Sequence, residues 1–123
     1  MPSKPYKSEN RIQQECYMWF HNTYAEYRGL LFAVPNGGAR SIIEGKLFKD
    51  TGVISGVSDL LLMIDTETFC FELKNIYGHQ SDNQKRWQKL VEREGFKYYI
   101  IRDLEEFKNI VKPIMKNRDH DIN

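Results

Sequence analysis

The sequence predicts an α/β domain, a mixed central β-sheet flanked by helices. Two observations predict that class. Segments whose apolar residues recur at helical spacing alternate with short, nearly continuous apolar runs, in the order helix, strand, helix, strand, strand, helix, strand, helix. The runs near Leu31, Leu61 and Ile100 are too apolar for either face to stay in water, so helices are expected on both sides of the sheet. With 123 residues, 41% of them hydrophobic and 13% aromatic, there is apolar material for one real core. A polar arm is expected over 1–7, a single domain over 8–116, and a charged, frayed tail over 117–123.

Each element has a local reason. Ser8 is a good N-cap, and Ile12, Cys16, Trp19, Phe20, Thr23 and Tyr27 place a first helix from Glu9 to about Tyr27. Gly29 ends it, and Leu30 to Val34 reads as a short apolar strand. That strand stops at Pro35-Asn36-Gly37-Gly38, whose glycines allow a sharp turn and close backbone approach. Ser41 can cap a helix over about Ile42 to Asp50. Two glycines, Gly52 and Gly56, bend the chain into a strand over Ser58 to Ile64, and the polar turn Asp65-Thr66-Glu67-Thr68 joins it to a partner strand over Phe69 to Lys74. Ser81 and Gln84 make a capping-box pattern for a helix with Trp87, Leu90 and Val91 along one side, joined there by Gln84 and Gln88. After Gly95, Lys97 to Ile101 is a strand, and Leu104, Phe107, Ile110, Val111 and Ile114 mark a last helix.

Composition narrows the function. A formal charge of +1 with 28% charged residues gives no uniformly basic coat, so any phosphate-binding surface must come from local clustering. Cys16 and Cys70 fall inside predicted elements without paired spacing, which suits free thiols in a reducing cytoplasm. No apolar run approaches the length of a membrane span, and a soluble, intracellular protein is expected.

The chemistry concentrates between Gly56 and Gln84. Glu72 interrupts an apolar strand, and period two puts Lys74 on its face. If the two strands pair as a hairpin, Asp59 comes beside Glu72 at one end of the sheet. Two neighbouring buried carboxylates are costly unless something positive sits between them, and a divalent cation would do that. Glu9 projects on the core side of the first helix near its open end, or else it merely favours the positive end of the helix dipole. Arg40, Lys46 and Lys49 after the glycine turn, with Lys85 and Lys89 on the capped helix, could meet phosphate or could be solvated faces.

Asp59, followed thirteen positions later by Glu72-Leu73-Lys74, resembles the D…ExK signature of the PD-(D/E)xK nuclease superfamily. The surroundings make the likeness specific. Glu9 with Ile12-Gln13, Pro35-Asn36-Gly37-Gly38 with Arg40, Gly52 through Gly56 leading to Ser58-Asp59, Gly78, and Ser81 to Gln84 with Trp87 together resemble the VRR-NUC family, the virus-type replication-repair nucleases, over Ser8 to about Ile110. Ser58 stands where that family usually has proline, and Glu15 competes with Glu9 for the acid of the first helix.

The resemblance implies a restriction-endonuclease-like core of the stand-alone phage or bacterial type. It implies Mg²⁺ or Mn²⁺ on Asp59, Glu72 and the Leu73 carbonyl, with Glu9 completing the set directly or through water. Lys74 would orient or deprotonate the attacking water, Gln84 would fix the geometry, and Arg40, Lys46, Lys49, Lys85 and Lys89 would hold the DNA backbone. The implied activity is metal-dependent endonucleolytic cleavage by a homodimer, selective for branched DNA such as four-way junctions and serving repair or recombination. The alternatives are a nicking or restriction-like duplex endonuclease and a non-catalytic DNA-binding module on the same fold.

Overall fold

The computed structural model describes residues 6–35 and 50–116, and the expected helix over 42–50 lies, but for Asp50, outside them. Helix α1 spans Glu9–Thr23, capped by the Ser8 side chain, which accepts from the Arg11 amide. It stops short of the expected Tyr27. Tyr24 leaves helical geometry at φ −118°, ψ 64°, and a single 3₁₀ turn, Ala25–Tyr27, follows. The reason is packing, because this break delivers the Tyr24 ring into the core at 1% exposure, edge-on to Trp19 at 5.6 Å.

The described strands are β1 (Leu31–Ala33), β2 (Leu60–Ile64), β3 (Glu67–Leu73) and β4 (Lys97–Ile101), in that spatial order. Strands β1 and β2 pair antiparallel, β2 and β3 form the expected antiparallel hairpin, and β3 and β4 run parallel. The sheet is mixed, as the sequence predicts. The hairpin turn is shorter than the four residues expected. Ile64 faces Glu67 across it, leaving Asp65 and Thr66 as the two turn residues, both at positive φ (54° and 63°). That is the geometry of a type I′ connection, whose twist matches the flanking strands.

Helix α2 (Asp82–Arg93) joins β3 to β4, and α3 (Leu104–Ile114) follows β4. Alternation along β3 separates two layers. Phe69, Phe71 and Leu73 face α1 and α3, where Phe71 lies 5.0 Å from Phe107 and 5.6 Å from Tyr99 between ring centroids. Ile12, Cys16 and Phe20 of α1, and Val111 and Met115 at the end of α3, close this core. Glu72 and Tyr98 point to the opposite layer, toward α2, so helices do lie on both faces. On α2 the sheet-facing stripe is Gln84, Trp87, Gln88 and Val91, each part-buried, whereas Leu90, expected among them, is 44% exposed. Among the described residues no helix is long and apolar enough to cross a membrane.

The expected loose arm is tied down where it is described. Lys7 pairs with Glu15 at 3.0 Å, and the Tyr6 ring stacks on Tyr77.

Candidate active site

The antiparallel register sets the site. Leu60 lies opposite Phe71, so Asp59, one residue before β2, comes opposite Glu72 near the end of β3. Leu73 N–H donates to Asp59 Oδ2 at 2.7 Å, and the Val34 amide donates to the Asp59 carbonyl at 2.9 Å. Asp59 is thereby held from two neighbouring strands.

Glu72 is 1% exposed and sits against Asp59. Its Oε2 accepts from Gln84 Nε2 at 2.9 Å and lies 4.0 Å from Lys74 Nζ, while Oε1 accepts from the Tyr98 hydroxyl at 3.4 Å. Burial pushes its carboxyl up to about 9, and the adjoining Asp59 adds to the rise through a shared hydrogen bond and like charge. Lys74 and Tyr98 pull the other way without prevailing. Burial also raises the Tyr98 phenol, with the Glu72 charge contributing.

Gln84 has two duties that follow from one position. It is the third residue of α2, where its Oε1 accepts from the Ser81 amide at 2.8 Å while its own amide donates to Ser81 Oγ at 3.2 Å. That capping box would accept Glu or Gln. Only the amide leaves an N–H₂ to donate to Glu72. Gly56 lets α2 come so near. It has φ +91°, and a β-carbon there would fall 2.5 Å from the Asn83 carbonyl carbon and 2.9 Å from the Gln84 nitrogen.

Glu9 reaches the neighbourhood of Lys74 across Gly78. A β-carbon on Gly78 would fall 3.1 Å from Glu9 Oε2, 3.3 Å from Lys74 Cδ and 3.5 Å from Asn75 Oδ1, so three side chains converge where the glycine has none. Glu15 is engaged elsewhere. Lys7 and Arg11 pair with its carboxylate and hold its pKa below the ordinary value.

No family model matches the sequence, and no curated protein matches it. Solved structures do. One, titled "VRR_NUC domain protein", superposes with a TM-score of 0.73 at 16% identity, covering 91% of this chain and 91% of its own. Another, "VRR_NUC domain", gives a TM-score of 0.57 at 14% identity, covering 86% of this chain and 97% of its own. The chain has the VRR_NUC fold.

On this VRR_NUC fold, Asp59, Glu72, Lys74 and Gln84 come together at one end of the sheet, with Glu9 beside Lys74. Lys85 and Lys89 are exposed on α2, and Arg40, Lys46 and Lys49 lie outside the described residues. Ser58, at the position expected for proline, is fully buried and donates its hydroxyl to the Leu60 carbonyl at 3.3 Å. Both cysteines are buried free thiols, and burial pushes Cys16 up to about 12.

Sequence reasoning missed Tyr98, Asn75 and Arg102. Tyr98 reaches Glu72 because β4 lies parallel to β3, and its hydroxyl also accepts from Gln80 Nε2 at 3.3 Å, which in turn donates to Gln88 at 2.9 Å. Arg102 donates to the carbonyls of Asn75 and Gly78 at 2.6 and 3.0 Å, bracing the loop that carries the Glu9 contact. The one signal was a tyrosine at an inward position of an apolar strand, which asks for a polar partner.

Among the described residues no three His, Cys, Asp or Glu side chains converge into a ready metal cage. The Asp59 and Glu72 pair is instead the donor set that suits Mg²⁺, which takes one or two carboxylates and leaves its other positions to water and phosphate. A cation there would offset both the burial that pushes the Glu72 carboxyl up and the like-charge contact with Asp59 that adds to the rise.

Proposed function

We propose that this chain is a Mg²⁺- or Mn²⁺-dependent DNA endonuclease that hydrolyses phosphodiester bonds at Asp59, Glu72 and Lys74. The observation that carries this reading is a fully buried Glu72 set against Asp59, with the Lys74 ammonium 4.0 Å away. A structural ion pair would not need a second acid at its side. The fold shared with proteins titled as VRR_NUC domains supports the same chemistry.

A divalent cation bound by Asp59 and Glu72, with the Leu73 carbonyl and Glu9 as further oxygen donors, would supply charge neutralisation at the phosphate and a more acidic water. The chain does the rest. Lys74 orients the attacking water and offsets charge gathering on the phosphoryl oxygens. Gln84 and Tyr98 hold the Glu72 oxygens in one orientation, and the Leu73 amide does so for Asp59. In the hydrolysis, the water oxygen bonds to phosphorus as its proton passes to solvent, the bond from phosphorus to the ester oxygen breaks, and that oxygen leaves with the electron pair and takes a proton from solvent water.

The preferred substrate in this reading is branched DNA such as a four-way junction, and the acting unit is a homodimer, whose twofold axis would place two sites on opposed strands. The test is cleavage of end-labelled four-way junction, flap, linear duplex and single strand, with Mg²⁺, Mn²⁺ or EDTA. Metal-dependent paired cuts confined to the junction are expected. Equal cutting of every substrate would keep the nuclease and discard the selectivity.

A further inference from the structure

We propose that Tyr6 and Tyr77 form a platform on which an unpaired nucleobase of the DNA stacks, beside the site of cleavage. The proposal rests on the nuclease reading above and names a feature of its substrate. The two rings stack on each other with centroids 5.7 Å apart and planes 17° apart. They nevertheless remain 57% and 69% exposed, and Ile76, which precedes Tyr77 in the chain, is 63% exposed. Exposed large rings next to a charged centre are not ordinary surface. A contact that served only to pin the N-terminal segment would gain more by covering both faces of each ring.

The platform is held in place. Asn75 Nδ2 donates to the Tyr6 hydroxyl, the Tyr77 amide donates to Asn75 Oδ1 at 2.8 Å, and Arg102 braces the same loop through the carbonyls of Asn75 and Gly78. It also adjoins the candidate active site. Asn75 follows Lys74 in the chain, and its Oδ1 lies with Lys74 Cδ and Glu9 Oε2 around the bare Gly78. A base in a continuous duplex already has neighbours on both faces, so a rigid aromatic surface there selects a base freed from the stack, as at a flap, an end or a junction centre. Selection for branched DNA would then need no base-specific contact.

The test uses the full chain with Ca²⁺ replacing Mg²⁺, and a flap substrate carrying 2-aminopurine at its first unpaired nucleotide. Wild type should quench the fluorophore, and Tyr77→Phe should keep the quench. Tyr77→Ala and Tyr6→Ala should each lose it and bind the flap about tenfold more weakly, while affinity for fully paired duplex stays within about twofold. Because both rings are more than half exposed, the melting temperature checks that these variants still fold. Equal quenching and equal flap affinity in wild type and both alanine variants, from a chain that binds and cuts DNA, would overturn the platform alone. A wild-type chain that neither binds nor cuts any DNA would overturn the nuclease reading, and the platform with it.

Discussion

At the scale of the residue, Glu72 shows what its surroundings cost. A carboxyl raised from 4.5 to about 9 keeps, in the folded chain, a proton that the unfolded chain has released. Between those values the native state binds more protons, so metal-free stability should fall as pH rises, by up to about 1.4 kcal/mol per unit. Urea unfolding in EDTA at pH 5 and pH 8.5 reads this directly. We expect the lower pH to be the more stable, Glu72→Gln to flatten the slope, and Mg²⁺ to recover stability at pH 8.5 by binding the folded form. Gln84 offers a sharper substitution. Gln84→Glu preserves the capping box yet replaces the donor to Glu72 with a third negative charge, so the helix should persist by circular dichroism while cleavage drops at least about tenfold.

At the scale of the element, α2 and the β2–β3 hairpin have tight requirements. Gly56→Ala puts a methyl group into the backbone of Asn83 and Gln84 at a φ that side chains avoid, so it should destabilise by at least about 2 kcal/mol in denaturant titration and shift Gln84 off Glu72. Gly52→Ala shares the positive φ but meets no atom within 4 Å, and it should cost less. The hairpin runs the opposite way. Thr66 is β-branched and sits at φ 63° in a two-residue turn that favours Asp-Gly, so Thr66→Gly should stabilise by about 1 kcal/mol. Such elements also show how far the sequence could be read. Alternation in β3 and a polar turn sufficed to bring Asp59 to Glu72, and the Ser81/Gln84 spacing sufficed to start α2, because both signals are local. Tyr98 and Arg102 escaped because their reach depends on how β4 sits against β3 and the 75–78 loop, which no local pattern encodes. The end of α1 was misplaced for a related reason. Tyr24 prefers a core position to another helical turn, and tertiary packing overrides propensity there.

At the scale of the whole molecule, the fold divides its labour between two layers. The layer toward α1 and α3 is an aromatic and aliphatic core, while the layer toward α2 carries a buried acid and its polar partners. Stability and chemistry can therefore be perturbed separately. Phe71→Ala, which empties a fully buried site against Phe107 and Tyr99, should cost about 3–5 kcal/mol, read by denaturant titration. Glu72→Gln should leave the fold intact and end catalysis. The central claim is that Asp59 and Glu72 form a cation-dependent hydrolytic centre, and single-turnover cleavage of a four-way junction tests it most directly. Wild type should cut with Mg²⁺ or Mn²⁺ and not with EDTA, and Asp59→Asn and Glu72→Gln should each lose at least about a thousandfold in rate while still binding the junction. Undiminished cutting in EDTA, or by either variant, would contradict it.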